Sequence, residues 1–193
     1  MRTFNLALKR IVDIFGSLVG LVILLPLMII IAILIKLTSE GPVIFKQERL
    51  GKNGRVFKIY KFRTMVVNAE NIGDGLTVKS ESDSRITKVG RILRKTSLDE
   101  LPQLFNVLVG HMSLVGPRPE IPDVVKFYPE EYKQRLLVLP GITGLAQISG
   151  RGEIELGKTI YYDLTYIKNF SILYDIKILF KTVLSVFKRE GAF

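Results

Sequence analysis

The stretch Ile14-Phe-Gly-Ser-Leu-Val-Gly-Leu-Val-Ile-Leu-Leu-Pro-Leu-Met-Ile-Ile-Ile-Ala-Ile-Leu-Ile35 runs for 22 residues without a charge and is bounded by Asp13 and Lys36. At ~1.5 Å of rise per residue, a helix of this length matches the ~30 Å hydrocarbon core of a bilayer. It exceeds the ~7–15 apolar residues of a secretory signal, and no small-x-small cleavage site follows it. Pro26 falls near its middle, where the ring removes a backbone donor and bends a helix, while Gly16 and Gly20 weaken the first half. Basic residues flank both ends, with Lys9 and Arg10 ahead and Lys36, Lys46, Arg49 and Lys52 behind. Such flanks stay on the cytoplasmic side, so both ends are drawn to one face. A re-entrant helix-break-helix turning at Pro26 satisfies both pulls; a kinked signal-anchor span is the alternative.

Outward from this segment, the chain divides into residues 1–38, the membrane helix, and residues 39–193, a domain on the cytoplasmic face. Its 193 residues suffice for one core. An apolar content of 48% excludes a disordered chain. Lys and Arg total 28 against 18 acids, a net charge of +10, which points to polyanionic partners: nucleic acid, anionic lipid or a phosphorylated small molecule. Without cysteine there is no disulfide framework, thiolate nucleophile or thiolate zinc site, and a single histidine argues against a His-based metal centre.

Residues 43–48 and 55–63 read as strands of a hairpin turning at Asn53-Gly54, the strongest short hairpin signal. Residues 68–83 read as a surface loop, 85–95 as an amphipathic helix, 98–109 and 128–137 as further helices, and Gly116-Pro-Arg-Pro119 as irregular. Residues 139–144 read as turns and 145–149 as a short strand. Tyr162, Tyr166, Phe170 and Tyr174 recur every four residues, and Leu173, Ile176, Phe180, Val183 and Phe187 follow at helical spacing among lysines. That pattern suits a helix in the headgroup region, with core packing the alternative, and Ser171 is placed to cap it. The expected fold class is α+β: a re-entrant N-terminal helix and a small, mostly helical domain with a short β-hairpin and interfacial amphipathic helices.

The chemistry concentrates in Arg94-Lys-Thr-Ser-Leu-Asp-Glu-Leu-Pro-Gln-Leu104. Ser97 and Glu100 have capping-box spacing, which explains these residues structurally without any function. The functional reading starts from the same geometry: free N–H groups at a helix start favour a bound phosphate and an ionised Asp99, and an ionised aspartate can attack phosphorus. Glu100 beside it can hold a hard cation such as Mg²⁺, which neutralises a diphosphate.

The run from Arg94 to Pro119 and the run Pro140-Gly-Ile-Thr-Gly-Leu-Ala-Gln-Ile-Ser-Gly-Arg151 resemble the bacterial sugar transferase family, the monotopic phosphoglycosyl transferases. Lys61-Phe-Arg-Thr-Met65, Asn169-Phe-Ser171 and Asp175-Ile-Lys-Ile-Leu179 resemble further blocks of it, so the likeness covers nearly the whole chain. The resemblance implies transfer of a sugar 1-phosphate from a UDP-sugar to a polyprenyl (undecaprenyl) phosphate at the bacterial inner membrane, with release of UMP. It implies Asp99 as the nucleophile of a covalent phosphosugar intermediate and Glu100 as its Mg²⁺ partner. It places Arg94 and Arg151 near the transferred phosphate, and Arg118 and Asp163 at other functional positions.

Guanidinium groups bind phosphate oxygens through paired donors, with a structural ion pair as the lesser alternative for each arginine. Lys61 and Arg63 read as a solvated strand face, with nucleotide or headgroup contact as the alternative, and His111 is given no catalytic role. Leu25-Pro26 stands where some relatives carry Ser-Pro, which removes a hydroxyl that could satisfy a freed carbonyl. Larger relatives have an extra membrane region ahead of this unit, so a minimal catalytic unit is expected. A basic membrane-anchored module without enzymatic activity is the competing reading; no nucleic-acid motif supports that partner. A homo-oligomer stays open, as does the sugar.

Overall fold

The computed structural model describes residues 3–72, 83–150 and 155–188. The apolar run folds as α1, Thr3–Thr38, a single helix long and apolar enough to cross a membrane. The expected interruption at Pro26 is absent, because the helix continues through it. Loss of the one N–H that proline lacks is local, and the turns on either side keep their own hydrogen bonds. Most of α1 is bare, Phe15, Val22 and Ile23 among its exposed side chains, whereas Asp13, Ser17, Ile31 and Ile35 are buried on one stripe.

That stripe fastens both ends of α1 to the same domain. Near the start, Lys9 Nζ donates to Asp175 Oδ2 (2.6 Å) and the Val115 carbonyl (3.0 Å). Arg10 donates to the carbonyls of Val107 (2.7 Å) and Leu108 (2.8 Å), and Asp13 Oδ1 accepts from Ser113 Oγ and the Leu114 N–H, both at 2.9 Å. Near the end, Ile31 and Ile35 pack with Phe62 and Leu93, and Arg63 Nη2 donates to the Ser39 carbonyl (2.9 Å) and hydroxyl (2.8 Å). Between them the helix passes close to the domain: a Cβ on Gly16 would stand 2.7 Å from Leu114 Cδ1.

The hairpin forms as read, β1 (Ile44–Leu50) antiparallel to β2 (Val56–Phe62), with Ile44 opposite Phe62 and Leu50 opposite Val56. Asn53 (φ 57°) and Gly54 (φ 73°) supply the two left-handed residues that a tight turn of matching twist requires. The next helix, α2, begins later than its periodicity suggested, at Lys88–Thr96, because the Thr87 side chain caps it by accepting from the Gly90 N–H (2.9 Å). The expected helix over 98–109 is split. Leu98–Glu100 form one 3-10 turn, and α3 occupies only Gln103–Leu108.

The capping box does not form either. Ser97 closes α2 in the left-handed region (φ 56°), its N–H donating to the Arg94 carbonyl (3.1 Å). A residue with a Cβ is strained there, so Ser97→Gly is expected to raise stability by roughly 0.5–1 kcal/mol in denaturant unfolding.

Two further expectations are corrected downstream. β3 (Ser113–Val115) pairs in parallel with β4 (Gly141–Thr143), where turns were expected, and the predicted strand over 145–149 is instead helix α5, Leu145–Gly150. Gly141 marks a close backbone approach rather than a turn, since a Cβ there would lie 2.1 Å from the Gly116 nitrogen. Between these strands sit α4 (Pro122–Val125) and a 3-10 helix, Glu130–Leu137, which replaces the expected α-helix. Helices α6 (Leu156–Lys168) and α7 (Ile172–Lys188) close the chain, and Ser171 Oγ caps α7 by accepting from the Tyr174 N–H (3.1 Å). Ile178 faces the core while Leu173, Ile176 and Phe180 are exposed, an apolar stripe bordered by Lys177 and Lys181. The expected loop over 68–83 lies for the most part outside the described residues.

Candidate active site

β2, the end of α2, the Leu98–Glu100 turn and the Pro-Arg-Pro loop converge on a cavity of about 1220 Å³. Lys61, Arg94, Asp99, Glu100 and Arg118 line its polar end; Leu24 of α1, Leu104, Leu114, Ile142 and Leu179 line its apolar part. Asp99 is 9% exposed, and its carboxylate accepts no hydrogen bond among the described residues. Burial, and then the adjacent Glu100 charge, push its pKa up to about 6, against the pull of Lys61, Arg94 and Arg118.

Glu100 has the opposite character. Its Oε1 accepts from Lys61 Nζ (2.7 Å) and Arg118 Nη2 (2.9 Å). Burial opposes ionisation, yet those two cations hold the carboxyl well below its ordinary range. Two adjacent carboxyls are therefore driven apart in acidity, one fully charged and paired, the other unpaired and titrating near neutrality. Arg94 faces Asp99 from the end of α2, its Nε donating to Thr64 Oγ1 (2.9 Å), and burial lowers its pKa while Asp99 raises it.

Of the residues expected from the sequence, Asp99, Glu100, Arg94 and Arg118 thus come together. Asp163 does not line the cavity. It is 1% exposed and pairs with the equally buried Arg135 (Nη2 to Oδ2, 2.8 Å). Arg135 in turn donates to Glu120 Oε1 and to the Arg118 carbonyl, both at 3.0 Å, so among the described residues Asp163 is linked to the site through the loop that carries Arg118. Arg151 lies outside the described residues, and Pro26 is not among the lining residues.

The reading of Lys61 and Arg63 as a solvated strand face is corrected. Lys61 is half of the Glu100 clamp, and Arg63 is buried against Ser39. The signal was partial: Phe57 and Ile59 are buried and Lys61 and Arg63 share their parity, but Phe62 of the other parity is buried too, so the alternation lapses at the end of the strand. Because Lys61 lowers the pKa of both acids, Lys61→Met is expected to raise the Asp99 pKa above about 6, as read by carboxyl titration in isotope-edited spectra.

His111 tilts against the Phe57 ring (centroids 5.7 Å apart), a packing contact away from the acids.

The sequence model of a family described as Bacterial sugar transferase matches residues 4–189. The chain belongs to this family. Among curated relatives, it is 44% identical over 200 residues to the undecaprenyl-phosphate galactose phosphotransferase of Salmonella typhimurium, covering 96% of this chain and 42% of that protein. It is 46% identical over 197 residues to the UDP-glucose:undecaprenyl-phosphate glucose-1-phosphate transferase of Klebsiella pneumoniae, covering 98% of this chain and 42% of that one. It is also 46% identical over 200 residues to the exopolysaccharide production protein PSS of Rhizobium leguminosarum bv. phaseoli, covering 98% of this chain and all of that protein. The chain therefore spans about two fifths of the length of the first two relatives, whose names carry different hexoses at similar identity.

Proposed function

We propose that the protein transfers a sugar 1-phosphate from a UDP-sugar to a polyprenyl phosphate, through a covalent intermediate on Asp99. The observation that carries this reading is a buried, unpaired aspartate beside a glutamate already neutralised by Lys61 and Arg118, in a cavity lined both by these charged groups and by apolar side chains such as Leu24, Leu104 and Leu179. In the first half-reaction an Asp99 carboxylate oxygen attacks the β-phosphorus of the UDP-sugar. The bond from that phosphorus to the bridging oxygen breaks, and its electron pair leaves on the α-phosphate of UMP. In the second, an oxygen of the polyprenyl phosphate attacks the same phosphorus and frees the aspartate. Arg94 and Arg118 balance the non-bridging oxygens, and Arg151 joins them by the family resemblance.

The donor set fits Mg²⁺. Glu100 spends only Oε1 on its cations, Asp99 is unpaired, and Mg²⁺ is commonly held by one or two carboxylates together with phosphate oxygens. No cluster of three or more metal-ligating side chains stands among the described residues, so substrate oxygens would complete the shell. Bound there, the ion would supply charge neutralisation of the diphosphate.

We further propose that residues 1–38 embed in the bacterial inner membrane from one face without crossing it, as one helix rather than a helix-break-helix, with residues 39–193 as the catalytic domain on its cytoplasmic face. A helix of 36 residues extends ~54 Å, well beyond the hydrocarbon core, yet both its ends bind one domain. The exposed stripe of α7 then rests among headgroups, so that a soluble donor and a lipid-borne acceptor meet at one cavity.

The test of the chemistry omits the acceptor. UDP-sugar labelled in its β-phosphate is expected to leave isotope on the protein with stoichiometric UMP, and added polyprenyl phosphate to discharge it; turnover without labelled protein would refute the covalent step. For the topology, reporter tags at the two ends of α1 are expected to read out cytoplasmic together, and opposite-side signals would refute it.

A further inference from the structure

Arg49, near the end of β1, lines the same cavity as Asp99 and Glu100. Its Nη1 donates to the Pro119 carbonyl (3.2 Å), next to Arg118, and its Nη2 to Gln47 Oε1 (2.6 Å). Both acceptors are neutral. Nε is buried without a hydrogen-bond partner, and no carboxylate among the described residues forms an ion pair with this guanidinium. The neighbouring acids are already engaged: Glu100 by Lys61 and Arg118, Glu120 by Arg135. Burial, and then the positive charge of Arg118, weaken the hold of Arg49 on its proton, outweighing the more distant pull of Glu120 and Glu100, neither of which bonds it. A half-buried guanidinium pressed toward a second one without an acid of its own is unfavourable until an anion joins it.

Resting on the transfer reading above, we propose that Arg49 is a phosphate-contacting residue, which together with Arg118 forms a paired-guanidinium seat on the cavity wall. The ligand chemistry is a phosphate dianion. Two sources can offer it: the nucleotide phosphate that departs as UMP, and the headgroup phosphate of the polyprenyl acceptor. Arg118 is drawn toward Glu100 and so toward the reacting acids, whereas Arg49 has no such tie and holds its charge for a ligand.

The experiment is equilibrium binding by calorimetry to the full chain in detergent micelles, with UMP, uridine and a short-chain polyprenyl phosphate as probes. Arg49→Met is expected to weaken UMP or the polyprenyl phosphate at least tenfold and to leave uridine unchanged, with Arg49→Lys restoring much of the loss. Loss confined to UMP assigns the seat to the nucleotide; loss confined to the lipid assigns it to the acceptor. Unchanged binding of both, or equal weakening of UMP and uridine, overturns the proposal and leaves Arg49 as a brace for the Pro119 carbonyl. Should Arg49→Met fail to fold, Arg49→Gln keeps a donor for that carbonyl and carries the same comparison. Wild type that binds UMP in an Arg49-dependent way but transfers nothing would sink the transfer reading and leave this seat standing.

Discussion

Asp99→Asn is expected to abolish transfer and protein labelling while making the protein more stable at neutral pH. The folded pKa of Asp99, about 6, lies above its ordinary value of 3.8, so the native state resists ionising this group. Stability is therefore fully present below pH ~4 and falls as pH rises through about 6. At ~1.4 kcal/mol per pH unit the penalty above pH 6 is at most roughly 3 kcal/mol, and relaxation around the site reduces it to about 1–2. Asparagine is nearly isosteric and carries no charge, so its gain should appear at pH 8, as roughly 2–8 °C in melting temperature, and vanish at pH 4. The same ionisation predicts that wild-type transfer falls off below about pH 6, where Asp99, the proposed nucleophile, is protonated. A variant no more stable than wild type at pH 8 would show that Asp99 is not strained by its surroundings.

The second large effect is expected from Arg135→Met. The guanidinium is 2% exposed and ties together Asp163, Glu120 and the carbonyl of Arg118. Burial already raises the Asp163 pKa to about 6 against the pull of Arg135. Removing that cation leaves an acid with no partner in the interior and should cost about 3–5 kcal/mol, or roughly 10 °C in melting temperature. Adding Asp163→Asn removes the stranded acid and should recover part of the loss. Transfer should stay depressed in the double variant, because the Arg118 carbonyl is still unanchored. Recovery of both stability and rate would instead make Arg135 and Asp163 an isolated structural pair.

The membrane segment and the hairpin were legible because each depends on local signals, an uncharged run and an Asn-Gly turn. Asp99, Glu100, Arg94 and Arg118 were legible as motif residues, though not the asymmetry between the two acids, which comes from Arg118 and Lys61 both bonding Glu100 and leaving Asp99 unpaired. Ser97 misled because serine serves both ends of helices, and only the backbone angle distinguishes the left-handed closing residue from a cap. The β3 and β4 pairing is parallel and bridges a long excursion of chain, so no local pattern announces it. Asp163 carried a family position without a role, since its partner Arg135 is distant in sequence.

Arg10 and Asp13 do for the domain what capping residues do within it: they satisfy the last carbonyls of α3 and the Leu114 amide of the short parallel pair. The greasy helix is thus no mooring line that protein engineers can trim to obtain a soluble fragment. Shaving it away would strip a wall bearing Gly20 and Leu24 from the cavity around Asp99 and leave main-chain groups unmatched on the cut face. Any water-soluble redesign must repaint the outward side at Phe15, Val22 and Ile23 and leave the inward stripe untouched.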